Sequence, residues 1–340
     1  MALRNRVVFG CAGTALSADE RAFFADARPY GFILFARNVD NPDQVRTLIS
    51  SLRDAVGDQT APVLVDQEGG RVQRLKPPHW KAHPAARRFG ELYATDPERA
   101  REAVYLNARL IAHDLASLGF TIDCLPVLDV PVEGANDVIG DRAFANDAST
   151  VIELGRAAIE GMLDGGILPV MKHCPGHGRA TADTHFDLPR VTAPAAELSA
   201  SDFVPFRALA GDCPCAMTAH VVYEAIDPNR AGTVSPRVVL QVIRGEIGFE
   251  GLLFTDDLSM NALSGTLAQR AKAALFAGCD IITHCNGKMD EMMDVAREVK
   301  PLEGDSLKRA ERAHAHLHAP QDLDVAAADA RLSELMGVVA

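Results

Sequence analysis

Eight short, unbroken apolar runs recur along the chain, each ending at a glycine, a polar residue or the start of a turn. They are VVFG to Gly10, GFILF over 31–35, PVLVD to Asp66, FTIDC over 120–124, LPVMK to Lys172, CAMTAH to His220, LLFTD to Asp256 and DIITH to His284. They lack the strict apolar/polar alternation of a strand with one wet face. Each run therefore predicts a strand buried on both sides, as in a parallel sheet covered by helices. Helix punctuation lies between the runs. Ser17 and Glu20 have capping-box spacing, while Asn41–Pro42, Asp96–Pro97 and Ser235–Pro236 each place an N-cap before a first-turn proline. Gly57, Gly119 and Gly248 stand where the following helices should stop.

Eight buried strands alternating with helices, without a Pro/Gly/Ser-rich linker, predict a single (β/α)8 barrel of TIM type over residues 1–340. Helices from about residue 287 would close it. A doubly wound open sheet is the alternative. In a barrel of this kind the chemistry sits at the C-terminal ends of the strands. Those ends offer Asp66, Lys172, His173, His220, Asp256 and His284.

Composition removes several function classes. The hydrophobic fraction of 48% is that of a folded protein, and 34 Lys+Arg against 46 Asp+Glu give a net charge of −12 with no basic stripe, which argues against a nucleic-acid partner. No run reaches the length of a membrane span, and the first residues lack a signal-peptide core, so no membrane association is expected. Cys11, Cys124, Cys174, Cys213, Cys215, Cys279 and Cys285 are scattered singly, which reads as reduced thiols in a cytoplasm.

The richest segment is KHCPGHGRATADTHFDLP, 172–189, which follows the fifth run and carries His173, His177 and His185 with Asp183 and Asp187. Asp183 and His185, two apart, can place a carboxylate beside an imidazole and raise its basicity, as a histidine acid/base requires. The same segment permits a second reading, a divalent metal held by His173, His177, Asp183 and His185, although no HExxH or cysteine pair accompanies it. In FTDDLSM, adjacent Asp256 and Asp257 diverge on an extended chain, so one can face the barrel mouth while the other caps the next turn. DQEGGRVQRL places Asp66 near Arg71 and Arg74, either a hydroxyl- and anion-binding cluster or a structural ion-pair network; GDRAF adds Arg142. His314 and His318 read as a solvated helix face, and the triplet at 213–215 as packing at a strand entry.

Taken together and in order, DQEGGRVQRL, GDRAF, KHCPGHG followed by DTH, MTAHVVY and TDDLSM resemble the β-N-acetylhexosaminidases of glycoside hydrolase family 3, from about residue 7 to about residue 300. The likeness is to their compact bacterial form of cell-wall recycling. The resemblance implies that Asp256 is a nucleophile and His185 the acid/base, with Asp183 as its partner. It implies that Asp66 and Arg74 hold the outer hydroxyls of the sugar, that Arg142 adds a contact, that Lys172 and His173 clasp the terminal residue, and that His177 supports the loop. The implied activity is retaining exo-hydrolysis of terminal β-linked N-acetylglucosamine from anhydro-muropeptides, with no cofactor and no obligate protein partner. Cys174 stands where the family usually has Phe, and Thr184 where it usually has Ser. The first departure bears on loop packing and thiol sensitivity. Retaining glycosidases generally use two carboxylates about 5–5.5 Å apart; a histidine in place of one would not repel an incoming anion when neutral. That leaves a phosphorylase of the same fold as a rival, beside a metal-dependent hydrolase built on the 173–185 histidines and a non-catalytic sugar-binding protein.

Overall fold

The computed structural model describes residues 4–180 and 188–337. Eight strands, β1 (Asn5–Phe9), β2 (Pro29–Leu34), β3 (Val63–Val65), β4 (Ile122–Asp123), β5 (Leu168–Cys174), β6 (Cys215–Thr218), β7 (Leu252–Asp257) and β8 (Ile281–His284), form a closed barrel in chain order. Every neighbouring pair is parallel, and β8 returns to β1 with Val7 opposite Ile282 and Phe9 opposite His284. Closure excludes the open-sheet alternative.

The unbroken apolar character of the runs has a direct cause. Val8, Leu64, Ile122, Val170, Met217 and Phe254 fill the barrel, whereas Val7, Phe9, Leu34, Val65 and Leu253 pack outward against helix residues such as Val45, Leu48 and Leu52. Both faces of each strand are buried, so both must be apolar. The strand period of two then selects the rim: Asp66 stands two after Leu64, Lys172 two after Val170 and Asp256 two after Phe254, and each lines the mouth.

The helix signals hold in detail. Ser17 Oγ accepts from Glu20 N at 3.1 Å while Glu20 Oε2 accepts from Ser17 N at 2.9 Å, opening the helix Ala18–Ala27. Asn41 caps Pro42–Val56 and Asp96 caps Pro97–Leu118, and Gly57 and Gly119 end them in the left-handed conformation. The fourth signal shifts by one residue. Helix Arg237–Glu246 begins after Pro236, and Ser235 Oγ accepts from Val238 N at 3.3 Å while donating to Asp227 Oδ2 at 2.7 Å.

Two expectations change, for the fourth run and for His314, and the turn after β3 takes a definite form. The fourth run contributes only two ladder residues, because Pro126 has no N–H to offer; pairing with β5 resumes as the bridge between Val127 and Lys172. The turn after β3 is a hairpin, Gln67–Gly69 against Val72–Gln73. Gly69 and Gly70 take φ of +98° and +55° at its tip, a region that disfavours side chains, and a Cβ on Gly69 would strike the Pro84 carbonyl. Finally, His314 is the last residue of the helix Gly304–His314, so it shares no helix face with the exposed His318 beyond it. That helix closes the bottom of the barrel with Ala310 and Ala313, and His314 Nε2 meets the buried Tyr30 hydroxyl at 2.8 Å. Burial lowers the His314 imidazole to about 4. Cys213 and Cys215 are buried as strand-entry packing.

Beyond the barrel, helix Val325–Met336 lays Leu332 and Leu335 into the outer core and pairs Arg331 with Glu102 at 2.7 Å. No helix among the described residues is long and apolar enough to cross a membrane.

Helix Ala86–Tyr93 approaches the loop that follows Arg142 through Gly90, where a Cβ would collide with the Phe144 carbonyl. Gly90→Ala is expected to destabilise the protein by about 1–3 kcal/mol, because backbone rather than a flexible side chain must yield. A urea unfolding midpoint equal to wild type would show that the two segments separate freely.

Candidate active site

The β3 hairpin and the end of β5 build the polar wall of the mouth. Lys172, fully buried, places Nζ 2.9 Å from Asp66 Oδ1 and 2.6 Å from Glu68 Oε1. Arg74 Nη2 lies 2.9 Å from Asp66 Oδ2, and Arg142 grips Glu68 in a bidentate pair, Nε to Oε2 at 2.9 Å and Nη2 to Oε1 at 2.8 Å. Burial alone would raise both carboxyls, but the cations outweigh it. Lys172 and Arg74 hold Asp66 far below the usual carboxylate range, and Arg142 with Lys172 bring Glu68 to about 2. Reciprocally, burial would discharge Lys172 and Arg142, yet the same carboxylates keep both firmly protonated. The hairpin itself hangs on Asp123, whose Oδ1 accepts the Gln67 N–H at 2.9 Å, while Gln67 Oε1 accepts from Arg74 N at 2.9 Å. Burial pushes the Asp123 carboxyl up to about 8.

A second wall is imidazole. His173 Nδ1 lies 2.7 Å from Oδ2 of the fully buried Asp129, and the rings of His173 and His177 sit 5.6 Å apart, centroid to centroid. Burial, then the neighbouring His173, lowers His177 to about 4, so it is neutral at ordinary pH. Its backbone N–H donates to Asp129 Oδ1 at 2.7 Å.

The two adjacent carboxylates part company. Asp256 Oδ1 accepts the Asp257 N–H at 2.8 Å, and the half-buried side chain faces the cavity. Burial would raise its carboxyl, but His220 and His173, followed by the Asp257 N–H and Lys172, bring it below the usual carboxylate range. Asp257 is a structural cap, accepting from Ser259 N at 3.0 Å, Ser259 Oγ at 2.6 Å and Cys285 N at 3.1 Å.

The cavity measures about 160 Å³ and brings together Asp66, Arg74, Arg142, Lys172, His173, His177 and Asp256, with Glu68 among them. That is room of the order that takes one small ring. Phe35, Ile139, Met217 and Met260 supply its apolar surface. Two of the expected rim residues serve structure instead. His220 is held by Thr233 Oγ1 at 2.7 Å and the Asp257 carbonyl at 3.0 Å, and His284, in register with outward-facing Phe9, stacks edge-on against that ring at 6.3 Å. Asp183, Thr184 and His185 lie outside the described residues. The metal set is therefore described only in His173 and His177; among the described residues no three His, Cys, Asp or Glu groups converge to hold an ion. Cys174 is fully buried and burial raises its thiol, while the thiol on the cavity wall belongs to Cys285.

Sequence reasoning missed Glu68 and Asp129. Glu68 lies within DQEGG, where its two-residue offset from Asp66 puts both carboxylates on one side of an extended chain. Asp129 stands alone in the apolar stretch LPVLDVP, 125–131, where an isolated carboxylate predicts a buried, partnered charge.

Comparison with known proteins identifies the family and the fold. The description "Glycosyl hydrolase family 3 N terminal domain" matches residues 7–317. A β-hexosaminidase of Alkalilimnicola ehrlichii is 42% identical over 287 residues, covering 84% of this chain and 81% of that protein. Two crystal structures of NagZ from Neisseria gonorrhoeae, one native and one in complex with N-trifluoroacetyl-D-glucosamine, are similar with TM-scores of 0.87 and 0.88, each at 30% identity and covering 98% of both chains. By sequence and by fold, this glycosidase barrel belongs to glycoside hydrolase family 3.

Proposed function

We propose that the protein is a retaining exo-β-N-acetylglucosaminidase that removes terminal β-linked N-acetylglucosamine from peptidoglycan-derived anhydro-muropeptides. The observation that carries the reading is Asp256, an ionised carboxylate at the end of β7, facing across one cavity the Asp66–Lys172–Glu68–Arg142 cluster that can grip sugar hydroxyls. The β-hexosaminidase relative and the N-trifluoroacetyl-D-glucosamine bound by the Neisseria protein support an acetamido sugar as the substrate.

Asp256 attacks the anomeric carbon while protonated His185, oriented by Asp183, delivers a proton to the leaving oxygen. Neutral His185 then takes a proton from water, which attacks the glycosyl–Asp256 ester and releases the sugar with retained configuration. We read residues 1–340 as one catalytic domain, closed by the helices beyond about 287, in a bacterial cytoplasm; seven free, buried cysteines suit a reducing compartment.

The purified protein should release nitrophenol from nitrophenyl N-acetyl-β-glucosaminide in phosphate-free buffer with excess EDTA, and act far more slowly on the matching β-glucoside. His185→Ala should lose about 10²–10⁴-fold on a disaccharide and much less on the nitrophenyl sugar, whose leaving group needs no proton. Arrest by EDTA would transfer the reading to a metal hydrolase. A sugar 1-phosphate formed on adding phosphate would make the protein a phosphorylase, and binding without turnover would make it a sugar-binding protein.

A further inference from the structure

We propose that Asp129 is a positioning residue for glycoside cleavage: its carboxylate fixes His173 in the tautomer that carries the ring proton on Nδ1 and ties that ring to the turn at 175–178. The inference rests on the glycosidase reading of the cavity given above.

Asp129 follows β4 in the stretch Leu125–Val130, where its neighbours are buried and apolar, and its own side chain is fully buried. Three N–H groups converge on it. Oδ1 accepts from the backbone of His173 at 3.2 Å and of His177 at 2.7 Å, and Oδ2 meets His173 Nδ1 at 2.7 Å. Burial would raise the carboxyl, but the His173 and His177 imidazoles and the N–H donors bring it below the usual carboxylate range, so it is ionised. An ionised carboxylate only accepts hydrogen bonds, hence the His173 Nδ1 must donate. In the neutral ring this leaves the lone pair on Nε2, the atom available to accept a hydrogen bond from a sugar hydroxyl. Lys172, one residue earlier, supplies donors instead, so the pair presents both hydrogen-bond senses to the same sugar.

The turn is pinned at two more points. Tyr223 donates its hydroxyl to the Gly176 carbonyl at 2.7 Å, and the Gly178 carbonyl accepts from Val132 N at 3.2 Å. Asp129 thus joins the cavity histidine to the turn by one side chain, and an error in its placement moves both.

Asp129→Asn separates positioning from bulk structure. The amide oxygen keeps the two backbone N–H bonds, and the amide nitrogen then faces His173 Nδ1 as a donor. The ring proton is forced to Nε2 with volume and hydrogen-bond number nearly unchanged. The expected result is a 10- to 100-fold fall in kcat/KM on nitrophenyl N-acetyl-β-glucosaminide, carried mainly by KM. Nitrogen-15 histidine spectra, with His173 assigned by His173→Gln, should show an unprotonated Nε2 in the wild-type protein and a protonated one in the variant. Activity within twofold of wild type, an unchanged tautomer in the variant, or a protonated Nε2 in the neutral wild-type ring would each overturn the proposal. If the variant does not fold, the wild-type spectrum alone still decides. Failure of the glycosidase reading is separate, since it would appear as a wild-type protein without turnover while the tautomer remained measurable.

Discussion

Asp256→Asn is expected to lower kcat on nitrophenyl N-acetyl-β-glucosaminide by about 10⁴-fold or more while leaving the unfolding midpoint nearly unchanged. The two halves of that expectation have different origins. Asp256 is half-buried, and Oδ1 accepts the Asp257 N–H, a bond the Asn amide oxygen can keep. The fold therefore loses little. The reaction loses its nucleophile, because a neutral amide does not form the glycosyl ester on which a retaining pathway depends. The pH profile supplies an independent check. Burial would raise the Asp256 carboxyl, but the facing imidazoles of His220 and His173 lower it, so the carboxylate persists as pH falls through the ordinary carboxylate range. Any acid limb of kcat/KM that Asp256 causes must lie below about pH 4. Rates of the purified variant near those of wild type would remove Asp256 from the role, and with it the mechanism.

The frame around Asp256 was legible from apolar periodicity alone. Each run signalled a strand buried twice over, and counting by two from Leu64, Val170 and Phe254 reaches Asp66, Lys172 and Asp256 on the inner rim. The same count explains where the reading went astray. His284 closes its run as Asp256 does, but it shares register with outward-facing Phe9, and a pairing between the first and last strands is a property of closure that no local pattern contains. The hairpin carrying Glu68 was hidden because strands of three and two residues are too short to show a period. Asp129 acquires its role only when β5 brings His173 and the turn at His177 to it, across 44 and 48 residues of chain. His314 looked solvated by sequence, and became a barrel plug because Tyr30 on β2 reaches its ring. Helix caps fared better, since Ser17 with Glu20, or Asn41 with Pro42, settle their hydrogen bonds within one turn.

Removing the central cation of the sugar-binding wall should produce the largest loss of stability. Lys172→Met keeps the length of the side chain but leaves Asp66 and Glu68, whose side chains are 15% and 7% exposed, without their shared ammonium. Breaking a buried pair by deleting one partner costs about 3–5 kcal/mol, since the surviving charge stays desolvated. The variant should show that loss in urea unfolding, and a fall in kcat/KM of at least about 10²-fold because the hydroxyl-binding groups lose their fixed positions. Two controls separate charge from shape. Lys172→Arg should not restore the wall, because one ammonium bridges Asp66 Oδ1 at 2.9 Å and Glu68 Oε1 at 2.6 Å, whereas a planar guanidinium is longer and has no room in so closed a niche. Lys172→Met combined with Glu68→Gln should recover neither stability nor activity, because Arg142 then loses the carboxylate it grips. The pH dependence has a definite sign. In the wild type the lowered carboxyls of Asp66 and Glu68 contribute stability that is fully present above the ordinary carboxylate range, and the Glu68 share is lost as pH falls toward about 2. Without Lys172 that contribution is smaller, so the stability gap between wild type and Lys172→Met should be widest near neutrality and narrow below about pH 4. A gap independent of pH would show that Lys172 stabilises the barrel through its apolar stem rather than its charge.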